Sequence, residues 1–140
     1  MVRIFQTTEI GAPGDEVWRV AGRPESIADF HPEVVAASVD GDFRTSTLAD
    51  GSLQLERIVE RSSVHRFYTY ELVGGAAPIR SLRACLAVRG HGDHSHVDWD
   101  VELVADPDAD AMELARGLDR GFCQALKRLR AQLERTAAAA

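Results

Sequence analysis

Residues 96–104 (HVDWDVELV) and residues 110–135 (DAMELARGLDRGFCQALKRLRAQLER) decide the fold of this chain. In the first stretch polar and apolar side chains alternate, so Val97, Trp99 and Val101 share one face of a strand. In the second, apolar side chains recur at steps of three or four residues from Leu114 to Leu133, the stripe of an amphipathic helix. An apolar sheet face must be covered, so the two stretches predict a sheet packed on a long C-terminal helix.

Strand and turn signals continue upstream of these stretches. Residues 2–10 alternate up to a Gly-Pro break, and residues 15–21 and 24–30 are typical of two short helices. Asp-Gly, glycine-rich or polar turns then separate six strands, at residues 34–39, 43–48, 53–59, 64–73, 79–88 and 96–104. We therefore predict an α+β helix-grip fold. In it, a curved antiparallel sheet of about seven strands surrounds the C-terminal helix, with two short helices after the first strand.

Length, net charge and the lack of long apolar segments narrow the possible classes of protein. A chain of 140 residues forms one domain, so we assign residues 1–136 to it and residues 137–140 to a frayed tail. The net charge of −6 disfavours nucleic-acid binding, which needs a concentrated positive field. There is no signal-peptide pattern and no apolar run long enough to span a membrane, so we expect a cytoplasmic protein. It is a monomer or a homodimer, and an exposed edge strand or the helix end would support the dimer. Cys85 and Cys123 are expected to be reduced thiols.

Several short segments carry a resemblance to a known family. They are residues 12–13 with 17–18, 30–32, 44–51 with 56–58, 66–70, 78 and 97–99. In this order they resemble the START-like (SRPBCC) superfamily, and most closely its bacterial polyketide cyclase/dehydrase-like branch, over residues 2–133. The resemblance implies the helix-grip fold. It leaves the activity open, because this fold serves lipid carriers, hormone receptors and cyclases alike.

The predicted architecture implies a cavity, because one straight helix does not completely fill a strongly bent sheet. Binding pockets of this kind are lined by apolar side chains with a few polar groups. Alternation along the strands and the helix stripe predict a lining of Leu55, Tyr68, Tyr70, Leu82, Ala84, Leu86, Trp99, Val101, Leu114, Leu118 and Phe122.

Four side chains are candidates for acid–base or oxyanion chemistry, namely Tyr68, Tyr70, His31 and Arg57. The two tyrosine hydroxyls would orient a ligand oxygen or act as general acids, or only fill the core. His31, near the pocket rim by the resemblance, would be an acid or base, or only cap a helix end. Alternation with the neighbouring leucines favours Arg57 rather than Glu56 inside, as an anchor for a carboxylate or enolate oxygen, and a bulge would reverse the two.

Two further segments have a functional and a plain interpretation. Residues 74–78 (GGAAP) would form a lid over the pocket or a simple strand connection. The lid is implied by the resemblance, since the corresponding loop gates ligand entry in the plant abscisic acid receptors, which are related to this family in fold. Residues 90–98 (GHGDHSHVD) contain three histidines and two aspartates, a composition that suits zinc or nickel. This segment falls on a hairpin turn without surroundings that would fix the rings, so we interpret it as exposed surface. We expect no metal and no cofactor.

Three functions remain open at this point. The first is binding of a small hydrophobic molecule, aromatic or polyketide-like, in the cavity. The second is a cyclase/aromatase-type enzyme that folds a reactive chain and assists aldol closure and dehydration. The third is a regulatory partner protein without a ligand, which would use the 74–78 loop and the helix end as its interface.

Overall fold

The computed structural model describes residues 1–139 and confirms the predicted helix-grip architecture. Seven strands form one antiparallel sheet: β1 (Val2–Ile10), β2 (Val34–Asp40), β3 (Phe43–Leu48), β4 (Leu53–Ser62), β5 (Phe67–Gly75), β6 (Ile79–His91) and β7 (His94–Ala105). Three α-helices accompany them: α1 (Gly14–Ala21), α2 (Ile27–Phe30) and the long α3 (Ala111–Ala139). A single 3-10 turn, Pro24–Ser26, leads into α2. The strand order is β1-β7-β6-β5-β4-β3-β2, so the chain order is a meander from β2 to β7 with β1 added at its end.

Helix α3 begins where the sequence predicts. The side-chain oxygen Oδ1 of Asp110 accepts a hydrogen bond of 3.1 Å from the backbone N–H of Glu113, which caps the helix. The helix continues through Ala139, and Ala140 lies outside the described part of the chain. That residues 137–140 form a frayed tail stays a prediction. No helix within residues 1–139 is long and apolar enough to cross a membrane.

The core lies between the concave face of the sheet and α3. Four side chains of β7 point inward and are fully buried, namely Val97, Trp99, Val101 and Leu103, which confirms the predicted alternation. Phe122 from α3 meets Trp99 with ring centroids 4.5 Å apart. This contact holds α3 close to the β7 side of the sheet. The cleft that remains therefore lies towards β4 and β5.

Candidate functional site

A cleft between the sheet and α3 has two adjoining parts. The inner chamber, about 120 Å³, is lined by Ile27, His31, Glu33, Leu48, Gln54, Glu56, Tyr70, Ala77, Ile79, Leu82, Gly117, Leu118, Gly121 and Phe122. The outer groove, about 890 Å³, runs along the first turns of α3 and shares Glu33, Gly117, Leu118 and Gly121 with the chamber. The shared residues make the two parts one continuous candidate site.

Five of the side chains predicted to line the cavity border this cleft. Tyr70, Leu82 and Phe122 line the inner chamber, Leu114 lines the outer groove, and Leu118 borders both. They bring together the middle of β5, the start of β6 and one face of α3.

The other predicted lining residues require a correction. Tyr68, Ala84, Leu86, Trp99 and Val101 are buried, but they fill the core and do not border the chamber. The physical reason is the close approach of α3, where the Trp99 and Phe122 rings occupy the space that a wider cavity would need. Leu55 lies on the opposite face of the sheet, because its neighbours Glu56 and Gln54 face the chamber.

A buried ion pair forms the polar wall behind the chamber. Arg44 on β3 has 0% exposure, and its Nε donates a hydrogen bond of 2.9 Å to Oε1 of Glu56 on β4. Its Nη1 donates to the carbonyl oxygen of Pro24 at 2.9 Å and to the hydroxyl of Tyr68 at 3.1 Å. Nη2 lies 2.9 Å from the same Glu56 oxygen, within ion-pair distance but without hydrogen-bond alignment. Arg44 thus neutralises Glu56 and exposes no charge to the chamber.

The orientation of Glu56 and Arg57 is the reverse of the prediction. Glu56 is 3% exposed and faces the chamber, whereas Arg57 is exposed on the outer face of β4. A bulge on β4 does not cause this difference, since Leu53–Arg57 pairs with β3 without a register shift and Leu53, Leu55 and Arg57 share the outer face. The inner wall here is polar, and the leucines of β4 lie outside. Arg57 is therefore removed from the candidate catalytic residues.

Tyr70 presents a donor to the chamber. Its hydroxyl oxygen accepts a hydrogen bond of 3.1 Å from Nε1 of Trp99, and within residues 1–139 its own proton has no protein acceptor. The guanidinium of Arg44 lies 4.5 Å from the centre of its ring. Burial raises the pKa of Tyr70 far above its ordinary value, and burial raises the pKa of Tyr68 as well. Both hydroxyls therefore stay protonated.

His31 lines the inner chamber. Its Nδ1 accepts a hydrogen bond of 3.1 Å from the backbone N–H of Glu33, so the neutral ring carries its proton on Nε2. The ring packs edge-on against Trp99 and Phe122, with centroids 6.2 and 5.8 Å away. Burial, with smaller contributions from the charges of Arg44 and Arg128, lowers the pKa of His31 to about 4. The imidazole is consequently neutral at pH 7.

Glu56 supplies the acceptor of the chamber. Its Oε1 is bonded to Arg44, while Oε2 accepts only a long hydrogen bond of 3.3 Å from Nε2 of Gln54 among the described residues. A carboxylate oxygen has two lone-pair directions, so Oε2 retains capacity for a further donor. The chamber thus offers an acceptor at Glu56 and a donor at Tyr70, and the Nε2–H of His31 is a further donor of its lining.

The mouth of the cleft is acidic. Five carboxylates and one guanidinium border the outer groove, and most of them lie in the connection between β7 and α3 and in the first turns of α3. The charged set is Glu33, Asp106, Asp108, Asp110, Glu113 and Arg120. All five carboxylates are solvent-exposed, and Asp110 also caps α3. The surplus of negative charge gives the mouth a negative potential.

The 74–78 loop borders the cleft. Gly74 and Gly75 belong to β5 and pair with Leu55 and Gln54, so the free connection is only residues 76–78. Ala77 of this connection lines the chamber and Pro78 lines the outer groove. A role as a lid stays a prediction.

The histidine segment lies away from the cleft, on the turn between β6 and β7. The rings of His91, His94 and His96 approach one another with centroids 5.2 to 6.3 Å apart. No group of three or more histidine, cysteine or carboxylate side chains within residues 1–139 is arranged to hold a metal ion.

Arg44 and Glu56 were missed as a pair, although the sequence contains a signal for them. The turn at residues 49–51 joins β3 to β4, and counting outward from Asp50 places Arg44 directly opposite Glu56. Opposite charges at such a cross-strand position stabilise each other when both side chains point to the same face. Gln54 was missed for the same reason as Glu56, since a polar inner face was not considered.

The sequence matches one family of known proteins. The family model described as polyketide cyclase / dehydrase and lipid transport matches residues 1–134. Among curated proteins none matches the sequence significantly.

Solved structures provide several similar folds. The protein XoxI from Bacillus cereus has a TM-score of 0.89 at 20% identity, with 95% of this chain and 96% of that chain covered. The Zhui aromatase/cyclase from Streptomyces sp. R1128 has a TM-score of 0.79 at 14% identity, with 97% and 95% covered. A START superfamily protein from Mycobacterium smegmatis has a TM-score of 0.80 at 11% identity, with 96% and 98% covered. At these identities the likeness shows a shared START-like fold.

Proposed function

This chain belongs to the polyketide cyclase / dehydrase and lipid transport family, and from this premise we propose that it binds a small, mainly apolar molecule in the cleft between sheet and α3. One observation carries the proposal. The inner chamber has apolar walls, a hydrogen-bond donor at Tyr70 and an acceptor at Glu56, and it opens into the outer groove. Apolar walls with a few convergent polar groups are the usual composition of a ligand site.

The volumes indicate how a ligand would be divided between the two parts. At about 120 Å³ the chamber is smaller than the roughly 300–1,000 Å³ of most ligand pockets. It is close to the roughly 150 Å³ that suffices for benzene in an engineered cavity. The chamber therefore suits one ring or a short chain, and the rest of a larger ligand would lie in the outer groove beside Leu114 and Leu118.

The protonation states favour binding over proton transfer. A general acid or base works best when its pKa lies near the operating pH. Burial raises the pKa of Tyr70 far above neutrality, and the pKa of His31 is lowered to about 4. Tyr70 is thus a weak acid and His31 a weak base at pH 7. Both groups are better suited to hold and orient a ligand than to exchange protons with it.

A cyclase is the second candidate, and Glu56 is the observation that favours it. This buried carboxylate lines the chamber and keeps lone pairs free on Oε2. In an aldol closure Glu56 would remove a proton from the carbon next to one carbonyl, and that carbon would form a bond to the carbon of a second carbonyl. The oxygen of the second carbonyl, hydrogen-bonded by Tyr70, would take up the proton from Glu56 and become a hydroxyl. Tyr68 and Arg57 do not line the chamber and have no place in this chemistry.

Titration with the neutral fluorescent dye N-phenylnaphthylamine tests the proposed binding. We expect a saturable rise in fluorescence with one dye per chain, because the cleft offers one continuous, mainly apolar site. A rise that does not saturate, or no rise at all, would contradict the proposal.

Incubation with a poly-β-ketone, followed by mass spectrometry, separates the two candidates. Loss of water from the compound that depends on the protein and disappears in Glu56→Gln would favour the cyclase. Binding without any change in mass would favour the carrier function. Circular dichroism of the Glu56→Gln variant serves as the folding control.

A further inference from the structure

The polar groups of the inner chamber specify what the buried end of a ligand must offer. Glu56 is 3% exposed and presents an acceptor, Oε2, whose one bond within the described chain is the 3.3 Å contact from Gln54. Tyr70 is 2% exposed and presents an O–H proton that has no acceptor in residues 1–139. A ligand group that both donates and accepts satisfies the two together. A hydroxyl group is the smallest such group.

A carboxylate at this position would meet no compensating charge. The cation nearest to Glu56 is Arg44, which has 0% exposure and does not line the chamber. Its donors are directed at Glu56, Pro24 and Tyr68. A second carboxylate beside Glu56 would therefore be desolvated and repelled at once.

The charges that border the outer groove also disfavour anionic ligands. Five exposed carboxylates border it, namely Glu33, Asp106, Asp108, Asp110 and Glu113, with Arg120 as the single cation of that lining. A negative potential at the mouth lowers the local concentration and the association rate of anions. The apolar strip between these charges, with Leu114 and Leu118, suits an alkyl chain.

We infer that this protein selects an uncharged hydroxyl compound with a head of about one ring and an alkyl tail, and rejects carboxylate-headed lipids of the same size. This assignment rests on the proposed function and names the ligand class of that site. The hydroxyl donates to Glu56 and accepts from Tyr70 in the inner chamber. The tail lies in the outer groove along α3.

A matched series of three probes tests the inference on the unchanged protein. Para-hexylphenol, hexylbenzene and para-hexylbenzoate differ only in the group at the buried end, and each competes with N-phenylnaphthylamine at neutral pH. We expect hexylphenol to bind roughly tenfold tighter than hexylbenzene, as one or two buried hydrogen bonds give. We expect hexylbenzoate to bind at least about tenfold weaker than hexylphenol.

Two tyrosine variants on the same strand show whether the preference comes from the chamber. Tyr70→Phe should reduce hexylphenol affinity to nearly that of hexylbenzene and leave hexylbenzene affinity unchanged. Tyr68→Phe is the matched control, because Tyr68 lies outside the chamber lining, and it should keep the full preference.

The outcomes distinguish the inference from the proposal beneath it. Hexylbenzoate binding as tightly as hexylphenol, or a full preference retained by Tyr70→Phe, would overturn the inference while the binding function stands. If none of the three probes displaces the dye, the inference and the proposed function both fail.

Discussion

Gly117 offers a substitution that should strengthen the fold and block the site. It lies inside α3 at the junction of the inner chamber and the outer groove. A Cβ built on Gly117 would meet only Nη2 of Arg120, at 3.9 Å, so there is room for a side chain. Glycine in a helix interior costs about 0.8–1.0 kcal/mol relative to alanine. We infer that this glycine keeps the junction between the inner chamber and the outer groove open.

We predict opposite effects on stability and binding for Gly117→Leu. Leucine has nearly the helix propensity of alanine, so the substitution should raise the free energy of unfolding by roughly 0.5–1 kcal/mol. This corresponds to an increase of about 2–4 °C in Tm. The three carbons beyond Cβ should occupy the junction and weaken N-phenylnaphthylamine binding at least about tenfold, which corresponds to roughly 1.4 kcal/mol. Urea unfolding and dye titration measure the two quantities.

Gly117→Ala is the matched control for this prediction. It carries the same gain in helix propensity without filling the junction, so it should be stabilised by about 1 kcal/mol and bind the dye as the unchanged protein does. The reasoning is refuted if Gly117→Leu binds the dye with undiminished affinity. It is also refuted if Gly117→Ala loses as much affinity as Gly117→Leu.

Three other predictions concern charge. Because the folded pKa of His31 is about 4, below its ordinary value of 6.5, the unfolded chain binds more protons between these pH values, and stability falls on acidification. Between pH 7 and pH 4.5 the free energy of unfolding, measured with urea, should fall by about 2–3 kcal/mol more for the unchanged protein than for His31→Asn. Equal decreases for the two proteins would contradict this. Arg44→Met should cost about 3–5 kcal/mol by stranding Glu56, and thermal unfolding should show that adding Glu56→Leu restores much of the loss. Asp106→Asn with Glu113→Gln should tighten hexylbenzoate binding, more so at low salt, and leave hexylphenol unchanged.

Much of the fold was accessible from the sequence because its strongest patterns are regular. The alternation around Trp99 and the three-to-four spacing from Leu114 to Leu133 each specify one buried face. Those faces can only be buried against each other in one domain of this size. The family resemblance and the matched family model then agree on the same architecture.

The candidate site was less accessible, and β4 shows why. Hydrophobic alternation assumes that leucines point inward, yet Leu53 is 59% exposed and Glu56 is buried. The assumption fails because Arg44 on the neighbouring strand neutralises Glu56, so a polar inner wall becomes stable. Local rules tend to fail at sites of function for this kind of reason.

The size of the chamber was also beyond a sequence argument. It depends on how closely α3 approaches the sheet, which is set by the 4.5 Å contact between Trp99 and Phe122. A pattern of apolar residues does not distinguish a filled interface from an open one. This is why Leu86 and Val101 were predicted as lining and are core residues instead.

The central claim is that a ligand binds between the sheet and α3, and NMR titration with para-hexylphenol tests it most directly. We predict saturable shifts with a single affinity for the amides of Gly117 and Gly121 and the methyl groups of Leu82 and Leu118, which border the chamber. Shifts concentrated on the outer face of the sheet, around Leu55, or no saturable shift anywhere, would contradict the account.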